Sequence, residues 1–244
     1  MFFSMYRIAL IGGGGVGKSL LAFALSRYYH KSGVKCCIAN LDPGCKHINY
    51  APNFDLRKYY SLDKTMKHYR LGPNGALKKI YEDFAADAHA KKKLAESLQG
   101  FDVALLDTAG SLELFLFEEE APLLKSVADA VLFVVDNKAL RNDDDFLVLK
   151  TISAVQTIKY TLPTLTVVNK KDLLEKERKK KQQKLGLNAA HSGGREAVIE
   201  HLKNLFAEIG REQRLVVVSA LERKGLNELV DAINELKCEC GDLS

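Results

Sequence analysis

The run Gly12-Gly13-Gly14-Gly15-Val16-Gly17-Lys18-Ser19 constrains this chain more than any other feature. It reads G-x-x-x-x-G-K-S. An apolar, β-branched run, Tyr6–Ile11, precedes it, and a helical run, Leu20–Tyr29, follows. Glycines in such a loop let backbone N–H groups turn inward around an anion, and the following helix adds the positive end of its dipole. Gly14, Gly15, Val16, Gly17, Lys18, Ser19 and Leu20 are therefore expected to bind nucleotide phosphates. Lys18 is expected to neutralise the β- and γ-phosphates, and the Ser19 hydroxyl to ligate Mg2+.

A loop of this kind belongs at the end of a parallel strand. Six short apolar runs suit that setting: Tyr6–Ile11, Lys35–Leu41, Phe101–Asp107, Ala130–Asp136, Thr164–Asn169 and Leu215–Ser219. Each is nearly continuous in apolar character, as strands buried on both faces are. Helical periodicity lies between them: Leu77, Ile80, Tyr81 and Phe84; Val198, Leu202, Leu205, Phe206 and Ile209; Leu226, Leu229, Val230 and Ile233. Alternating strand and helix predicts an α/β fold, a P-loop NTPase with a doubly wound, mostly parallel sheet. The 244 residues suit a single domain over 1–244. Positions 43–100 hold no good strand candidate and are too long for a plain crossover, so a helical insertion is expected there.

Composition narrows the classes further. With 47% hydrophobic and 27% charged residues, the chain is globular rather than disordered. No stretch approaches the roughly 20 apolar residues of a membrane span, so no membrane role is expected. The first residues lack a basic leader and a cleavage site, so no signal peptide is expected. Five cysteines, Cys36, Cys37, Cys45, Cys238 and Cys240, make a poor disulfide framework and point to the cytoplasm. Cys36 and Cys37 are expected in the core. Cys238 and Cys240 have no second Cys or His pair at zinc spacing. The net charge of +5 fits one bound polyphosphate. The Lys-rich segment 176–184 carries no interleaved aromatics, so it is expected to be solvated and not to contact nucleic acid.

Two further motifs extend the phosphate loop. Asp107-Thr108-Ala109-Gly110 reads D-x-x-G. Its Asp107 is expected to hold Mg2+ through a water, and the Gly110 N–H to touch the γ-phosphate. Asn169-Lys170-Lys171-Asp172 reads N-K-x-D. The Asp172 carboxylate can accept from the guanine ring N–H and exocyclic amine, and adenine offers neither in that arrangement. Asn169 is expected to support the base and the loop, and the Lys170 stem to cover the ring. The backbone of Ser219-Ala220 is expected to meet the guanine oxygen. These residues make GTP and GDP the expected ligands.

Leu71-Gly72-Pro73-Asn74-Gly75, Asn40-Leu41-Asp42-Pro43-Gly44 and the segment from Asp107 to Phe115 together resemble the GPN-loop GTPases, closest in length to the archaeal-type members. The resemblance covers essentially the whole chain. It implies a homodimer in which Asn74 of one subunit reaches the phosphates of the other, with Pro73 stiffening the loop and Gly72 permitting its turn. It implies Asp42 near Mg2+ or the attacking water, and a switch or water-network role for Glu113. By this reading Ser19, Asp42 and Asp107 serve the metal, and Asp42, Asn74, Lys18, Glu113 and Asp107 serve catalysis. The family pattern is Asp-Thr-Pro-Gly-Gln, and here Ala109 replaces the proline and Ser111 the glutamine.

The expected activity is Mg2+-dependent hydrolysis of GTP by a dimeric switch acting on a protein client during assembly of macromolecular complexes. The alternative is a GTP-dependent interaction module with negligible hydrolysis. A third class, the dimeric partitioning and membrane-insertion ATPases, carries a signature lysine where this chain has Gly13, and lacks N-K-x-D.

Overall fold

The computed structural model describes residues 5–111, 124, 126–140, 142–160, 162–174, 198–202, 204 and 215–241. Among these, seven strands form one sheet: β1 (Tyr6–Ile11), β2 (Cys36–Leu41), β3 (Phe54–Asp55), β4 (Val103–Thr108), β5 (Ala130–Val135), β6 (Thr164–Val168) and β7 (Leu215–Val217). Their order is β3-β2-β4-β1-β5-β6-β7, and every pairing is parallel. The longer helices are α1 (Lys18–Lys31), α2 (Leu62–Tyr69), α3 (Pro73–Ala86), α4 (Ala88–Leu98), α5 (Asp143–Tyr160) and α6 (Leu226–Gly241).

The sheet explains the unbroken apolar runs. Alternate strand residues feed two separate cores. Ala9, Ile11, Ala39, Leu41, Leu106 and Phe133 pack with Leu77, Ile80, Phe84 and Leu94 of α3 and α4. Ile8, Leu10, Ile38, Leu105 and Leu132 pack with Leu21 and Leu25 of α1 and Leu229 and Ile233 of α6. Both faces are therefore covered, so apolar residues dominate both parities of the strands.

One expectation fails in 43–100. Phe54–Asp55 forms a short strand there, with Ala39 opposite Phe54 and Asn40 opposite Asp55. Asn40 Nδ2 donates to Asp55 Oδ1 at 3.0 Å, and Arg57 Nη2 donates to Asp55 Oδ2 at 2.6 Å. Two residues are too few to show a period. The helical expectations over Leu77–Phe84 and Leu226–Ile233 hold. Val198 is exposed, and positions 205–209 lie outside the described residues.

β1 lies at the centre, with β4 on one side and β5 on the other. Strands order away from it in opposite directions, so a crevice opens beyond its C-terminal end. Residues 12–17 sit there.

Candidate functional site

Helix α1 starts at Lys18 without a side-chain cap and without an acidic residue in its first turn. Its first N–H groups are thus left for an anion. Gly17 has φ 95, and a Cβ there would stand 2.5 Å from Asn169 Nδ2. Only glycine fits both demands. Lys18 is buried, and its Nζ donates to Gly12 O and Gly13 O at 3.0 Å each. Burial lowers its pKa, while the carboxylates of Asp107 and Asp42 oppose that shift.

Asp107 is 1% exposed. The Tyr50 hydroxyl donates to its Oδ2 at 2.7 Å, while Oδ1 is buried with no hydrogen-bond partner. Burial raises the Asp107 pKa; Tyr50, the nearby Ser19 hydroxyl and Lys18 act the other way. A buried, unpaired carboxylate oxygen near a hydroxyl is the donor set that a hard cation takes. Among the described residues no group of three or more His, Cys, Asp or Glu side chains could hold a metal alone. Mg2+ that keeps phosphate oxygens and waters needs no such group, so the residues present fit it. Asp42 lies in a turn: its N–H donates to Asn40 Oδ1 at 3.1 Å, and its Oδ1 accepts from Gly44 N at 2.8 Å.

Gly110 presses against the phosphate loop, and a Cβ there would stand 2.8 Å from Gly14 Cα. Beside it opens a cleft of about 460 Å³ lined by Asp42, Gly44, Asn74, Leu77, Ala109, Gly110 and Ser111. The expected Gly-Pro-Asn loop is corrected here. Pro73, Asn74 and Gly75 form the first turn of α3, with Gly72 as N-cap at φ −68 and ψ 172. That backbone is open to any residue, so Gly72 is not needed for a left-handed turn. Proline at the first helical position is pre-organised for the helix. Asn74 is exposed, at the cleft's rim.

The N-K-x-D segment is bound to the phosphate loop. Asn169 Nδ2 donates to Val16 O at 3.0 Å, and its Oδ1 accepts from Ala220 N at 3.0 Å. Asn169 thus ties the phosphate loop to the backbone at Ala220. The Ala220 N–H expected to meet the guanine oxygen is engaged with Asn169 instead. Ser219 Oγ donates to Asp172 Oδ1 at 2.6 Å, and both side chains are buried. Lys170 adopts φ 65, and its Nζ lies 3.8 Å from Asp136 Oδ2. Asp42, Asn74 and Gly110 thus line one cleft beside the loop, with Lys18 and Asp107 buried near it, while Asn169 joins the loop to Ala220, and Ser219 to Asp172, on the other side.

Tyr50 escapes sequence reading, and Tyr81 belongs to no motif. Tyr81 donates to Leu41 O at 2.9 Å and accepts from Ala109 N at 3.2 Å. The helical period marks Tyr81 as core, but nothing in it gives the hydroxyl's partners. Glu113, the segment 176–184, and the side chains of Cys238 and Cys240 lie outside the described residues. Cys36 and Cys37 are buried, as expected. No helix among the described residues is long and apolar enough to cross a membrane.

Residues 10–239 match the family described as "Conserved hypothetical ATP binding protein". The chain is 26% identical over 247 residues to a GPN-loop GTPase of Pyrococcus abyssi, covering 97% of this chain and 99% of that one. It is 23% identical to GPN-loop GTPase 1 of Schizosaccharomyces pombe over 93% of this chain and 67% of that one. The crystal structure of the Pyrococcus abyssi GTPase in its apo form superposes with a TM-score of 0.80 at 24% identity, covering 96% of this chain and 98% of the other. At that identity the superposition speaks for the fold alone.

Proposed function

Because this chain belongs to the GPN-loop GTPase family, we propose that it binds GTP and hydrolyses it to GDP and phosphate as a dimeric, Mg2+-dependent switch. The observation that carries the base assignment is Asn169. Its amide joins Val16 O of the phosphate loop to the N–H of Ala220, which supports a base subsite tied to the phosphate subsite. Asp172, held by Ser219, then presents its carboxylate to guanine. The family description names ATP and the relatives' names say GTPase; the N-K-x-D chemistry favours guanine.

On the phosphate side, the α1 N-terminus binds the polyphosphate. Lys18 moves from its two carbonyl partners to the β- and γ-phosphates. Ser19 and Asp107 would hold Mg2+, with Asp42 beside them; the ion would neutralise charge developing on the phosphates. The Gly110 N–H contacts the γ-phosphate. Asp42 and Asn74 orient the attacking water, with Asn74 acting on the partner subunit's phosphates. A protein client in the cytoplasm reads the dimer's shape.

Ser111 favours a second reading. It lies in the cleft where the family pattern has glutamine, and it is too short to hold water at the same reach. Slow hydrolysis would leave an interaction module timed by nucleotide. Single-turnover hydrolysis, with and without protein partners, separates the two.

Competition of GTP, ATP and XTP for a fluorescent guanine nucleotide tests the assignment. GTP is expected to win, and Asp172→Asn to shift preference toward xanthine. Equal affinity for ATP would overturn the base reading.

A further inference from the structure

The cleft beside the phosphate loop has three walls, and a hydroxyl carried on one of them bonds the backbone beside the other two. Asp42 belongs to the turn after β2, Gly110 to the segment after β4, and Asn74 and Leu77 to α3. Tyr81 lies on the same face of α3, one turn beyond Leu77 and two beyond Asn74. Its side chain is 2% exposed. The hydroxyl donates to Leu41 O, the carbonyl just before Asp42, and accepts from Ala109 N, the amide just before Gly110.

We infer that Tyr81 is a positioning residue: its hydroxyl fixes where Asn74 stands relative to Asp42 and Gly110. The inference rests on the GTPase reading above and deepens it. A tyrosine filling the core needs one partner for its hydroxyl, and any carbonyl would serve. Here the two partners are the backbone groups adjoining the two loops that meet the terminal phosphate. The contact also depends on the residue at 109. Proline there has no N–H and could not donate, whereas Ala109 does. When the γ-phosphate draws on the Gly110 N–H, the shift passes through Ala109 N to Tyr81 and so to α3. GDP exerts no such pull. Tyr81 therefore acts on turnover and on discrimination between di- and triphosphate, and not on GDP affinity.

Tyr81→Phe keeps the ring and removes the hydroxyl; Ala109→Pro keeps Tyr81 and removes the donor. Turnover, GDP affinity, affinity for a non-hydrolysable GTP analogue and melting temperature are measured for each single variant and the pair. Each single variant is expected to lower turnover about 10-fold, as small misplacements do, and to weaken the analogue relative to GDP. GDP affinity is expected to stay within about twofold. The pair is expected to be no worse than the worse single variant, because both remove one contact. A lower melting temperature with unchanged turnover and discrimination would overturn the inference, as would effects that multiply in the pair. The unchanged protein is assayed first. If it binds no guanine nucleotide, the GTPase reading falls and this inference falls with it. If it binds and hydrolyses GTP while both single variants behave as it does, only the inference falls.

Discussion

Asp107 is held against its own ionisation. Its Oδ1 is buried without a partner, and burial raises its pKa. A group whose folded pKa is raised stabilises the fold below the unfolded pKa, about 4, and that contribution is lost as pH rises through the folded value. Ionised Asp107 thus opposes the nucleotide-free fold at neutral pH. Asp107→Asn is expected to raise the melting temperature of the nucleotide-free protein by about 2–4 °C, corresponding to about 1 kcal/mol. It should also flatten the loss of stability above pH 4 and weaken Mg2+-dependent GDP binding. Thermal melts across pH and a Mg2+ titration of bound fluorescent GDP check each part; a lower melting temperature would contradict the argument. Tyr50→Phe removes the 2.7 Å bond to Oδ2. Hydrogen bonds to charged groups contribute about 1.5–3 kcal/mol, so the same titration should move to higher Mg2+ concentration. Asp107 is legible in the sequence because it ends an apolar run and begins D-x-x-G. Tyr50 is not legible, since its partner is 57 positions away and no period connects them.

At the scale of elements, strands were readable to within a residue or two because burial on both faces writes them as apolar runs. β3 was hidden because two residues are too few to show a period, though its backbone pairs with β2 and the side chains of Asn40 and Arg57 hold Asp55. Burial pushes the Asp55 pKa up, but hydrogen bonds from Arg57 and Asn40 outweigh it, and the net shift is downward. A depressed folded pKa contributes stability above the unfolded value of about 4, and that stability is lost as pH falls through the folded pKa. Asp55→Asn is expected to remove about 1–2 kcal/mol at pH 7 and to make the protein less sensitive to acid. Urea melts at pH 7 and below pH 4 measure both, and an undiminished acid dependence would assign it elsewhere. Helix α3 depends on packing. Phe84 is fully buried, with ring centroids 6.2 Å from Phe54 and 6.3 Å from Tyr60. Phe84→Ala is expected to cost about 3–5 kcal/mol, read as a lower urea midpoint. Because α3 begins at Pro73-Asn74, turnover should fall further than Lys18-dependent binding of GDP.

For the whole molecule, the question is where Asn74 acts. The structure puts it exposed at the rim of its own chain's cleft, beside Asp42. A residue at a rim can serve a facing copy related by a two-fold axis, since such a contact is made twice. Sequence could suggest this only through resemblance, because nothing in a single chain's pattern encodes a neighbour. Light scattering with a GTP analogue is expected to give about 54 kDa, twice the 27.1 kDa chain. Mixing two inactive variants then locates the residue. Lys18→Ala removes phosphate binding from its own subunit but keeps Asn74; Asn74→Ala does the reverse. If Asn74 acts across the interface, a mixed dimer has one complete site: the phosphate loop of the Asn74→Ala subunit, supplied with asparagine by its partner. Random mixing makes half the dimers mixed, each with one working site of two, so turnover should recover to about a quarter of the unaltered level. If Asn74 acts within its own chain, every site in the mixture lacks one group and turnover stays at the level of the separate variants. Recovery therefore also requires dimerisation, since two monomeric variants cannot complement each other.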